Sequence, residues 1–69
     1  MVKLSKRQQM IMSFIENFIE ENDYPPTIRD IQNGCSISST SVVAYNLEKL
    51  KEGGQLNRHS EVSRGLSLA

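Results

Sequence analysis

The sequence predicts a mainly α-helical domain with a small β-hairpin, built as three helices followed by two short strands across residues 1–69. Three observations carry this expectation. Apolar residues recur at three-and-four spacing from Met10 to Ile19. Two shorter helical stretches meet at a turn of about four or five residues. After Gly53-Gly54 the apolar spacing changes from the helical period to a period of two.

The first helix is expected over residues 6–22. Ser5 followed three residues later by Gln8 has the form of a capping box. Met10, Ile11, Phe14, Ile15, Phe18 and Ile19 then mark one face, expected to be the main apolar wall of the core. The same stripe would also serve a partner-binding or membrane-surface helix, but in a chain of 69 residues little else can furnish a core. Tyr24-Pro25-Pro26 interrupts helical geometry. Thr27, with Asp30 three residues on, is placed to cap a second helix over residues 28–33 that ends at Gly34. Ile28 and Ile31 face inward on this reading, and Cys35 and Ile37 plug the turn. Cys35 reads as a small buried apolar residue rather than a reactive thiol.

The third helix, residues 39–52, organises the rest. Its hydroxyl-rich opening suits a cap. Val43, Leu47 and Leu50 fall on one face, and the opposite face reads Ser41, Val42, Ala44, Tyr45 and, further round, Lys49. Small hydroxyl, methyl and aromatic groups of this kind suit the floor of a DNA major groove, where thymine methyls and base edges are within reach. The partial positive charge at the helix N-terminus, with the Ser39 and Thr40 hydroxyls, would orient on a phosphate. A short helix, a tight turn and a second helix make a helix-turn-helix. The hairpin, residues 55–68, would turn its leucines to the helices and expose Arg58, His59, Ser60, Ser63 and Arg64 at its tip. Helices and hairpin in this order describe a winged helix, its wing supplying phosphate contacts.

Composition limits the function classes. Eight basic residues balance eight acidic ones, which argues against a nonspecific polyanion binder and leaves room for a specific reader. A single cysteine allows no internal disulfide. No apolar run approaches the ~20 residues of a membrane span, so a soluble, cytoplasmic protein with no membrane association is expected. No phosphate-loop, metal-ligand or catalytic-triad pattern is present, and His59 stands alone, so no catalytic residue, metal or cofactor is expected. The alternative to DNA reading is a winged helix used as a protein-interaction module.

The runs LSKRQQ, YPPTIRDI and SRGLSL, with SSTSVV and NLEKL between them at matching spacing, resemble the N-terminal DNA-binding domain of LexA-type SOS repressors across essentially the whole chain. The resemblance implies a transcriptional repressor whose third helix reads double-stranded operator DNA. It implies base contacts at Ser39, Ser41, Val42, Ala44 and Tyr45. Arg7 would lie near the phosphates, with further backbone contacts expected from Thr40, Lys49, Arg58, Ser63 and Arg64. Tyr45 and, less so, Ala44 depart from the better-known repressors. Cys35-Ser36 stands where the family commonly has Leu-Gly, so Ser36 must adopt the backbone a glycine would allow. Gly53 stands where the family commonly has a basic residue. The family also implies a homodimer on an inverted-repeat operator, held by a C-terminal self-cleaving serine–lysine protease domain. Nothing after Ala69 supplies that domain, and an excised domain is expected, the alternative being a stand-alone regulator without it.

Overall fold

The computed structural model describes residues 3–59 and 64–69. Among them run α1 (Lys6–Asn22), α2 (Ile28–Gly34), α3 (Thr40–Glu52), β1 (Leu56–Arg58) and β2 (Leu66–Leu68). The strands pair antiparallel with Leu56 opposite Leu68, Asn57 opposite Ser67 and Arg58 opposite Leu66. The order and pairing are those of a winged helix-turn-helix.

Local chemistry sets each boundary. Ser5 accepts from the Gln8 N–H at 3.1 Å while its own N–H donates to the Gln8 side chain at 3.1 Å. Thr27 and Asp30 repeat this reciprocal arrangement at α2, at 3.0 and 3.1 Å. Each box satisfies two N–H groups that a bare helix start would leave without partners. α1 ends where Asp23 turns into left-handed backbone, φ 63°, and donates its N–H to the Ile19 carbonyl. α3 closes at Gly53, whose φ of −80° any residue adopts; the left-handed step falls on Gly54, φ 78°. Only the second glycine of that pair is therefore required by conformation.

Ile11 and Ile15 of α1, Ile31 of α2, and Val43, Leu47 and Leu50 of α3 are fully buried, and Leu56 and Leu66 close the core from the hairpin. Each such side chain contributes roughly 1.5–3 kcal/mol on leaving water. Cys35 and Ile37 are buried in the helix-turn-helix corner. α2 packs tightly on α1: a Cβ at Gly34 would lie 2.0 Å from the Phe14 ring, so a side chain here would force that ring to move. Gly34 is the last residue of α2, and Cys35 caps it.

Three expectations need correction. Met10 is 43% exposed. At 100° per residue it falls on the flank of the stripe centred on Ile11 and Ile15, and Met12 on the other flank packs against the core instead. Leu68 shares a face of β2 with Leu66 but is 41% exposed at the end of the strand, although its cross-strand partner Leu56 is buried. Arg58 is not displayed at a wing tip: it lies two residues beyond buried Leu56 and so points to the same, helix-facing side. Ser60 and Ser63 lie outside the described residues.

Candidate nucleic-acid interface

The Ser39 hydroxyl begins α3 by accepting from the Val42 N–H at 3.2 Å, which leaves its O–H able to donate outward. Thr40 and Ser41 follow, both exposed, and Tyr45 one turn further on is 62% exposed. Val42 and Ala44 are half-buried, and Val42 also leans on the core. The five residues expected to meet bases thus form a continuous strip along the first turn and a half of α3. Groups with small volume lie at its start, and one large aromatic ring follows.

Asn46 holds this strip against α1, and its role was not anticipated from the sequence. The side chain is buried, donates through Nδ2 to the Val42 carbonyl at 2.8 Å, and accepts at Oδ1 from Gln8 Nε2 at 3.3 Å. Gln8 in turn belongs to the α1 capping box. The series Ser5–Gln8–Asn46–Val42 therefore locks the start of α1 beside the second turn of α3. Its signal in the sequence is a polar residue inside the apolar stripe of Val43, Leu47 and Leu50. One result is a shallow depression lined by Ser5, Arg7, Ser41, Val42, Tyr45 and Asn46. Arg7 is exposed at its edge and enters no ion pair among the described residues.

Other cations expected at the backbone are held by the protein itself. Lys49 Nζ lies 3.7 Å from Glu52 and 5.6 Å from the centre of the Tyr45 ring, at the far end of the strip. The Arg58 guanidinium is only 13% exposed and binds Glu48 of α3 at 2.8 Å. Arg64 Nη1 donates to the Pro25 carbonyl at 2.8 Å and lies 3.4 Å from Asp30 Oδ2.

A second cleft of about 390 Å³ opens between α2, the start of α3 and the hairpin. Pro26, Ile28, Leu47 and Leu66 are among its apolar lining residues, and Arg29, Thr40, Arg58 and His59 supply polar groups; among the described residues no acidic one lines it. Arg29 was not singled out from the sequence, because its place beside Thr40 depends on how α2 packs against α3.

Titration behaviour points to structure rather than chemistry. Hydrogen bonding from the Thr27 backbone N–H, followed by the Thr27 hydroxyl and Arg64, holds the Asp30 carboxyl below its ordinary value, against a smaller opposing effect of burial. Burial raises the Cys35 thiol above its ordinary value, as for an inert core cysteine. No group of three or more potential metal ligands gathers among the described residues. No helix there is long and apolar enough to cross a membrane.

The family model for the LexA DNA binding domain matches residues 1–65. The LexA repressor of Roseiflexus sp. (strain RS-1) is 54% identical over 66 residues, covering 96% of this chain and 30% of that protein. The LexA repressor of Herpetosiphon aurantiacus is also 54% identical, over 65 residues, with 94% and 30% covered. LexA repressor 1 of Geobacter sulfurreducens is 46% identical over 68 residues, with 99% and 34% covered. The chain spans about a third of the length of these relatives. With the helix-turn-helix, the hairpin and the exposed strip of α3 in place, this match along nearly the whole chain shows that it belongs to the LexA DNA-binding domain family.

Proposed function

We propose that this domain exercises sequence-specific binding of double-stranded DNA by laying α3 in the major groove, and that it represses transcription by occupying its operator. The observation that carries this reading is the open strip of α3 beside Arg7, with no ion pair at Arg7 and no acidic group lining the depression among the described residues. Ser39 and Ser41 exchange hydrogen bonds with base edges, and Val42 and Ala44 meet thymine methyls. Tyr45 contacts a base step or sugar with its ring or donates its hydroxyl. Each well-made base contact discriminates by about 1–3 kcal/mol. Arg7 and Thr40 engage phosphates flanking α3. The cleft containing Arg29, Arg58 and His59 receives the strand on the other side, with Ser63 of the wing adding to it. Lys49 reaches the backbone at the far end of the strip.

A single domain of this size binds weakly. Two copies on an inverted repeat, joined by a dimerising segment of the intact protein, gain through effective concentration. The test is selection of duplexes from a randomised library by the 69-residue chain, with anisotropy titration of the winner and a scrambled control at two salt concentrations. The expected result is an enriched half-site, preferred at least about tenfold, or 1.4 kcal/mol, over the scramble. Equal, weak binding to both duplexes by an artificially dimerised form as well would overturn the reading.

A further inference from the structure

Arg64 lies at the hairpin, where sequence reading expects a phosphate contact, yet its guanidinium, although partly open to water, is engaged by other parts of the chain. Nη1 donates to the Pro25 carbonyl at 2.8 Å and lies 3.4 Å from Asp30 Oδ2. The Cζ atom lies 4.5 Å from the centre of the Tyr24 ring, a cation–π distance. Tyr24 meets Phe18 edge-on at 5.7 Å, and Phe18 meets Phe14 at 5.8 Å. Phe14 is the ring against which Gly34 closes. One arginine thus joins the hairpin to the α1–α2 connection, to the cap of α2 and to an aromatic row on α1.

The three partners match the three recognition modes of a guanidinium: a carbonyl, a carboxylate and a π-face. Asp30 is fixed before Arg64 arrives, because the same Oδ2 accepts from the Thr27 N–H at 3.0 Å. A phosphate that takes over Nη1 has to displace both the Pro25 carbonyl and Asp30. On the other side of the hairpin, Arg58 binds Glu48 of α3. The hairpin is therefore fastened at two points, by one arginine to the groove helix and by another to the α1–α2 connection.

We infer that Arg64 is a positioning residue: it clasps the wing to Tyr24, Pro25 and Asp30, and so sets where the wing meets the duplex without itself touching a phosphate. The clasp also makes Tyr24 and Asp30 determinants of affinity through the position of the wing, although an aspartate would itself repel a phosphate.

The inference rests on the DNA-reading function above for its consequence, but the clasp can be tested on the free protein. In the uncomplexed 69-residue chain, Arg64→Gln and Tyr24→Leu are each expected to speed amide exchange of His59, whose N–H bonds the Gly65 carbonyl across the hairpin. The double variant is expected to exchange no faster than either single one. On the library-selected duplex, both substitutions and Asp30→Asn weaken binding by a similar factor, about three- to tenfold, and leave the salt dependence unchanged. Arg64→Lys, which keeps the charge but lacks the planar fork, fails to restore affinity. Unchanged exchange in both variants would overturn the clasp. So would a salt slope that falls by about one in Arg64→Gln while Tyr24→Leu is silent, since that is the signature of a lost phosphate contact. Faster exchange in a chain that selects no duplex even when artificially dimerised would uphold the clasp and reject the DNA-reading function instead.

Discussion

The two flanks of α3 treat positive charge in opposite ways. On the α1 side, Arg7 is exposed and enters no ion pair among the described residues, and the amides beside it, Gln8 and Asn46, are neutral. In the hairpin itself, Arg58 is bound to Glu48 and Arg64 to Asp30, while Arg29 of α2 next to it enters no ion pair among the described residues. A cation left facing water keeps its capacity to neutralise a phosphate, whereas one that already has a carboxylate must break that pair first. The difference teaches that the balanced charge of this chain is unevenly spent: on one side it is available to a partner, and on the other it holds the hairpin in place.

The strongest way to break this comparison is at the strip itself. Tyr45→Ala is expected to change which duplexes are selected, shifting discrimination at one position by about 1–3 kcal/mol. Unfolding midpoints should stay within about 0.5 kcal/mol of the parent, because the ring is exposed. An unchanged selection profile would remove Tyr45 from the interface.

Next is the neutral amide link. Asn46→Ala leaves Gln8 without its partner and opens a gap between α1 and α3, and a loss of roughly 1–2 kcal/mol is expected in urea unfolding. It should also lower DNA affinity by loosening Arg7, although Asn46 itself is buried.

The charged flank gives a smaller effect in stability and none in salt dependence. Arg58→Ala is expected to cost about 1 kcal/mol, discounted because Glu48 remains partly open to water, with the salt slope of DNA binding close to the parent's. Arg7→Ala should do the reverse: stability within about 0.5 kcal/mol, and a salt slope smaller by about one. If the two variants behaved alike, the contrast between flanks would fail.

The smallest expected effect is on pH. Asp30 is held below its ordinary value of 3.8, so the folded state binds this proton less readily than the unfolded one. Its contribution is present above pH 3.8 and is lost as the pH falls through the lower folded-state value. Thermal melts of the parent should therefore drop across that acid range more than those of Asp30→Asn, which keeps a capping oxygen but does not titrate.

Much of the fold was legible in the sequence because its signals are local. Both capping boxes lie within four residues, the apolar stripe of α1 repeats at helical spacing, and the leucines of the hairpin alternate. Ser36 was legible through resemblance: standing where the family commonly has glycine, it adopts left-handed backbone, φ 55°. What escaped reading joins residues far apart in the chain. The Arg58–Glu48 and Arg64–Asp30 pairs depend on how the hairpin folds back, and Asn46 gains its role only when Gln8 arrives beside it. Met10 was misplaced for a geometric reason, since the three-and-four rule admits residues at the margin of a stripe as readily as those at its centre. Of the candidate site, the strip on α3 was readable as one helical face; which of the surrounding cations remain free was not.

The sequence span of the Arg64 contacts also bears on the order of folding. They reach back 34 and 39 residues, about half the chain, to the connection between α1 and α2 and the start of α2. Closing so long a loop is favourable only after the helices have brought its ends together, which makes docking of the hairpin a late step. Arg64→Gln should accordingly leave the refolding rate almost unchanged and quicken unfolding, as measured by stopped-flow in urea. The rest of the fold is then assembled first, and the wing is the part that opens soonest when the protein begins to come apart.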